Sequence, residues 1–129
     1  AEKRSVREID RLIQRSRGQI TDAPVLIVAC LELDATREQP DERRRLAERD
    51  MFVQSLGAAL QNLLLAAVER GLAGYLKGAP LFCGPAITEA LDLPTGWAPA
   101  FLVLLGYPRE GAEVPPREDW DVGDVLIER

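Results

Sequence analysis

"GAALQNLLLAAVERGLAGYLKGAPLFC", residues 57–83, changes its period partway along. The first part belongs to a run from Met51 to Val68 that is apolar nearly all round, and Gly71 closes it after Glu69 and Arg70. A helix with so little polar face lies centrally in its domain or against another subunit. Residues 72–76 then read as a short strand, followed by a turn at Gly78, Ala79 and Pro80. Gly74 and Gly78 bracket Tyr75, Leu76 and Lys77. Such a frame lets a second object lie close against the backbone, or simply lets the chain turn.

Two further apolar runs flank this segment. Residues 25–33 (VLIVACLEL) and 97–107 (WAPAFLVLLGY) are continuously apolar, as strands covered on both faces are. Residues 2–19 predict a charged helix with Val6, Ile9, Leu12 and Ile13 at helical spacing and Gly18 as its stop. A turn over residues 21–24 and a polar loop over residues 34–41 lead into the long helix, whose charged entry spans residues 42–45. Residues 85–91 predict a short helix, with Pro85 suited to its first turn. The order predicts an α+β fold with a small sheet. Residues 1–129 form one domain, of which 108–129 is a Pro- and acid-rich C-terminal arm. The arm ends in an apolar cluster at residues 124–127, suited to docking on another element or another chain.

Composition narrows the function. A net charge of -5 argues against nucleic acid as a partner, since phosphate binding needs a basic surface. No polybasic segment serves an anionic membrane, and the apolar stretch at residues 56–68, broken by Gln61 and Asn62, is too short to span one. The charged N-terminus lacks the apolar core of a signal peptide, so a cytoplasmic protein is expected. Cys30 and Cys83 make neither a disulfide framework nor a metal cluster. With no histidine in the chain, Ser-His and Cys-His catalysis and the commonest metal ligand are excluded. Carboxylates or a cofactor must carry any chemistry.

Several residues have plain structural readings. Gln61 and Asn62 are expected to make interhelical or backbone hydrogen bonds, Cys83 to be an apolar wall residue, and Trp97 and Trp120 to be packing groups. Arg43, Arg44 and Arg45 are balanced by Asp41, Glu42 and Glu48, as on a solvated helix face.

Residues 57–72, 74–83 and 87–108, followed by the tail "PPREDWDVGDVLIER", together resemble the FMN-dependent nitroreductase superfamily. "RSRGQITDAPVLIVACLEL" (residues 15–33) and "APLFC" look most like the nitroreductase-like domain at the C-terminal end of the deazaflavin-coenzyme γ-glutamyl ligase. The resemblance implies a mostly antiparallel sheet, a long central helix and an intertwined homodimer. It also implies FMN as cofactor, taking hydride from NAD(P)H for a small-molecule acceptor, with no catalytic side chain and no metal. Tyr75, Leu76, Lys77 and Gly78 would lie along the isoalloxazine ring with backbone N–H groups toward N5, and Arg117 would hold the phosphate. "KRSVR" (residues 3–7) looks like the family's opening Arg-Ser-Arg segment but lies too close to residues 15–33, so that opening segment is expected to be missing. Two other readings stand beside the reductase: a flavin- or deazaflavin-holding domain without turnover, and a shortened dimeric scaffold without cofactor.

Overall fold

Three strands, β1 (Val25–Glu32), β2 (Ala73–Lys77) and β3 (Trp97–Gly106), form one antiparallel sheet in the order β1-β3-β2. The structure, a computed structural model, describes residues 5–35 and 37–112, with positions 116, 119, 121, 123 and 126 beyond them. The central strand is the one with the densest apolar run, and its Ala100, Leu102, Val103 and Leu104 are buried. Val103 pairs with Ile27 on one side and Leu76 on the other, and is fully enclosed at 0% exposure.

A proline in a central strand normally removes a ladder hydrogen bond. Pro99 is tolerated because the last β2 pair is Lys77↔Leu102, so at Pro99 the strand has a ladder partner only on its β1 side. The register against β1 also shifts here, leaving Ala100 without an opposite residue between the pairs Ala29↔Phe101 and Cys30↔Pro99.

The helices are α1 (Val6–Thr21), α2 (Glu42–Glu69) and α3 (Pro80–Leu91). Ser5 sets the start of α1: its backbone is extended, and its hydroxyl accepts the Glu8 N–H at 3.3 Å. The helix runs past Gly18 to Thr21, whose hydroxyl donates to the Arg17 carbonyl, and Pro24 follows shortly after its end. The expected turn at Pro80 and helix at Pro85 are one kinked helix. Pro80 occupies its first turn, and Pro85 bends it because a proline returns no hydrogen bond to the carbonyl four residues back. The bend appears at Cys83, whose φ of -133 is non-helical.

Asp41 caps α2, accepting the Arg44 N–H at 2.8 Å, and also pairs with the Arg44 guanidinium at 2.6 Å. Arg45 pairs with Glu42 in the same exposed manner. Hydrogen bonding to Arg45 holds the Glu42 carboxyl below its ordinary range. Glu48 is different. It is only 9% exposed, and its carboxylate accepts the Arg37 N–H at 3.2 Å and the Gln39 side-chain amide at 3.0 Å. Rather than balancing the arginine run, it ties the preceding loop to the helix. Glu48→Ala should therefore cost about 1–3 kcal/mol, since two donors lose their acceptor in a sheltered place. Urea unfolding checks this; an unchanged midpoint would contradict it.

Packing of α2 answers one question the glycines pose. A Cβ on Gly74 would collide with Leu64 Cδ2 and stand 3.1 Å from Leu105 Cδ2, so the object against this backbone is α2 itself. Leu60 and Ala67 are buried, whereas Leu46, Met51, Val53, Leu65 and Val68 remain exposed. Gln61 and Asn62 are also exposed and make no side-chain hydrogen bond among the described residues, contrary to expectation, because they lie on the side of α2 that the chain leaves uncovered. Within its 28 residues α2 contains an 18-residue stretch long and apolar enough to cross a membrane by length and composition, which residues 56–68 alone are not.

Candidate functional site

Strand β2 has a ladder partner on one side only among the described residues, so every second backbone N–H and C=O on its other edge is left without a strand to pair with. Side chains alternate along it. Gly74 meets α2, so Gly74 and Leu76 face α2 while Tyr75 and Lys77 face away from it. Lys77 Nζ donates to Gln19 Oε1 at 2.7 Å and lies 5.8 Å from the centroid of the Tyr75 ring. That contact fastens the last turns of α1 to the strand. Gln19 stands 58 residues away in sequence and carries no motif that could have announced it.

Gly78 follows the last ladder pair. Its carbonyl accepts the Leu81 N–H at 3.1 Å, while its own N–H enters no turn or loop hydrogen bond among the described residues. A Cβ here would meet Phe101 at 3.7 Å and Leu81 at 3.8 Å, ordinary contact distances, and its φ is not left-handed. Packing therefore does not demand glycine at this position. The expected set of Tyr75, Leu76, Lys77 and Gly78 is contiguous along one edge, and Arg117 lies outside the described residues.

Immediately beyond Gly78 opens a cleft of about 620 Å³ between α3, the start of β3 and Arg49 of α2. Its walls include Leu81, Trp97 and Phe82, the last 92% exposed. Trp97 thus lines an open cleft instead of filling a core. Cys83 does not wall it either: the thiol is exposed and donates to the Ala79 carbonyl at 3.2 Å, because the kink in α3 turns it outward. Cys30 is half-buried, and burial pushes its thiol pKa up. A disulfide reagent at mildly alkaline pH should therefore label Cys83 quickly and Cys30 many-fold more slowly. Equal rates, read by mass spectrometry of the labelled peptides, would contradict these positions. Among the described residues no three metal-ligating side chains converge.

Comparison with known proteins agrees with this architecture. The model of the Nitroreductase family matches residues 3–107. The chain is similar to an iodotyrosine deiodinase from Drosophila melanogaster, 30% identical over 108 residues, which covers 84% of this chain and 36% of that protein. An iodotyrosine dehalogenase 1 homolog from Caenorhabditis elegans is 30% identical over 99 residues, covering 77% and 29% respectively. The chain thus spans about a third of the length of these curated relatives. In fold it is similar to a nitroreductase family protein from Streptococcus pneumoniae, with a TM-score of 0.67 at 16% identity, covering 89% of this chain and 69% of that one. Nitroreductase A from Vibrio parahaemolyticus gives a TM-score of 0.62 at 22% identity over 95% of this chain and 60% of that one. A Desulfitobacterium hafniense nitroreductase with bound FMN gives 0.50 at 21% identity, covering 93% of this chain and 58% of that one.

Proposed function

The chain belongs to the nitroreductase family, and from that membership we propose that it is an FMN-dependent oxidoreductase that passes hydride from NAD(P)H to a small electron-accepting molecule. The observation that carries the reading is the edge of β2 ending at Gly78: among the described residues it has no strand beside it, and the Gly78 N–H has no partner. A flat heteroaromatic ring needs such in-plane donors along one side, and an edge strand supplies them without moving. Tyr75, Leu76, Lys77 and Gly78 would hold FMN by this backbone edge, and Arg117 would hold its phosphate by a charge-assisted pair. FMN supplies the hydride chemistry when bound.

The residues of this chain orient and exclude. The Gly78 N–H would fix the ring edge, and the Lys77–Gln19 contact would keep the strand from twisting away. Leu81, Phe82 and Trp97 offer an apolar wall for the acceptor next to that edge. The names of the relatives point to a nitro group or to a carbon–iodine bond as what is reduced, and both reductions consume electrons of the kind a flavin delivers. The link to deazaflavin-coenzyme ligation belongs to the alternative reading, a flavin- or deazaflavin-holding domain without turnover, and a cytoplasmic location belongs to either.

The exposed Leu65 and Val68 on α2 further support a homodimer, in which a second copy covers this face. Leu65→Lys should shift the sedimentation coefficient from that of a dimer to that of a monomer, and a wild-type protein that sediments as a monomer would dismiss the pairing. The activity itself is tested by NAD(P)H oxidation in the presence of FMN and a nitroaromatic acceptor. Acceptor-dependent oxidation above the rate with free FMN is expected. A retained flavin with no such oxidation would leave a flavin-holding domain in place of a reductase.

A further inference from the structure

A second cleft, of about 390 Å³, lies at the opposite end of β2 from Gly78. The last turn of α1 with Asp22, the start of β2, and the residues leaving β3 enclose it. Two of its walls are tyrosines with large accessible rings, Tyr75 at 55% and Tyr107 at 81% exposure. Two aromatic side chains left open around one cleft are an unusual use of apolar surface unless a ring covers them.

The third wall residue is Arg109, which forms no ion pair and no side-chain hydrogen bond among the described residues. Lys77, whose ammonium sits over the Tyr75 ring, adds a second positive charge close by, already hydrogen-bonded to Gln19. Asp22, which also lines the cleft, and Glu110, next to Arg109 in the sequence, oppose them. These two positive and two negative side chains sum to zero, so an anion here is held by direct pairing with the single guanidinium of Arg109, which matches one carboxylate. Two accessible tyrosine rings, a guanidinium without a partner among the described residues and room for roughly one substituted ring describe a specific chemistry.

From this arrangement we infer that the cleft binds a small monoanionic aromatic carboxylate, its ring against Tyr75 and Tyr107 and its carboxylate on Arg109. The cleft shares Tyr75 with the edge proposed for FMN but lies at the far end of it from Gly78, about 10 Å away along an extended strand. It does not rest on the flavin reading, and it would stand if no flavin bound.

The test is an amide NMR titration of the full chain with sodium benzoate, and in parallel with benzamide, the same ring without the charge. Saturable shifts at the Tyr75, Tyr107 and Arg109 amides with benzoate, and at least about tenfold weaker binding of benzamide, are expected. Arg109→Gln should weaken benzoate by about tenfold while leaving benzamide unchanged, which separates lost charge from lost fold. Phthalate, with two carboxylates, should bind more weakly than benzoate. The inference is overturned if benzoate produces no saturable shift at these amides, if Arg109→Gln leaves benzoate affinity intact, or if FMN displaces benzoate and so claims the cleft for the flavin.

Discussion

Val103→Asp should leave no cooperatively folded protein. Val103 sits at the centre of the middle strand, fully enclosed, paired with Ile27 and Leu76 and without a polar side chain across either pair. A carboxylate there must either stay ionised without a partner or take up a proton, and both cost several kcal/mol. The buried apolar core among the described residues is small: Leu31, Leu60, Ala67, Ala100, Leu102, Val103 and Leu104. A domain of this size has about 5–15 kcal/mol of stability in all, and so modest a core puts it toward the low end. Circular dichroism melting checks the expectation. Val103→Ala, which removes two methyl groups and adds no charge, should lower the midpoint by several degrees and keep the transition. A Val103→Asp protein that melts within a few degrees of wild type would mean the strand does not sit where described.

The second large effect concerns Gly78 and separates backbone from side chain. Gly78→Pro removes the N–H that has no partner among the described residues, while leaving the carbonyl that accepts from Leu81. The position follows the ladder and is not left-handed, so the fold should persist. Gly78→Ala keeps the N–H, and its methyl would meet Phe101 and Leu81 at ordinary distances. If this N–H holds the flavin, FMN affinity should fall by about tenfold or more in Gly78→Pro and change little in Gly78→Ala. Equal affinities across wild type and both variants, measured by flavin fluorescence quenching, would remove Gly78 from the site.

Much of the fold was legible because it is written in long apolar runs. β1, β3 and α2 announce themselves through composition and length, and their observed limits differ from expectation by only a few residues. α3 was not legible from its start, since Pro80 suits both a turn and the first turn of a helix, and only the packing against β3 decides between them. Glu48 was misjudged for a related reason. One acidic residue near three arginines looks like a surface partner, and nothing local reveals that Arg37 and Gln39 will fold over it.

The candidate site divides in the same way. The glycine-bracketed Tyr75, Leu76 and Lys77 stand out in the chain, but pattern alone leaves open whether a ligand or the protein itself lies against them. At Gly74 it is Leu64 of α2. At Gly78 the backbone N–H meets no partner among the described residues. The Gln19–Lys77 contact and the Tyr107–Arg109 side of the second cleft depend on chain crossings that no local signal encodes.

The central claim is that the outer edge of β2 holds FMN. Its most direct test is the visible absorption spectrum of the protein after incubation with FMN and gel filtration. A flavin band that travels with the protein, and is weakened in Gly78→Pro, is the expected result. A protein peak that emerges colourless from wild type after saturating FMN would contradict the claim, and the segment around Gly78 would then be no more than the junction between β2 and α3.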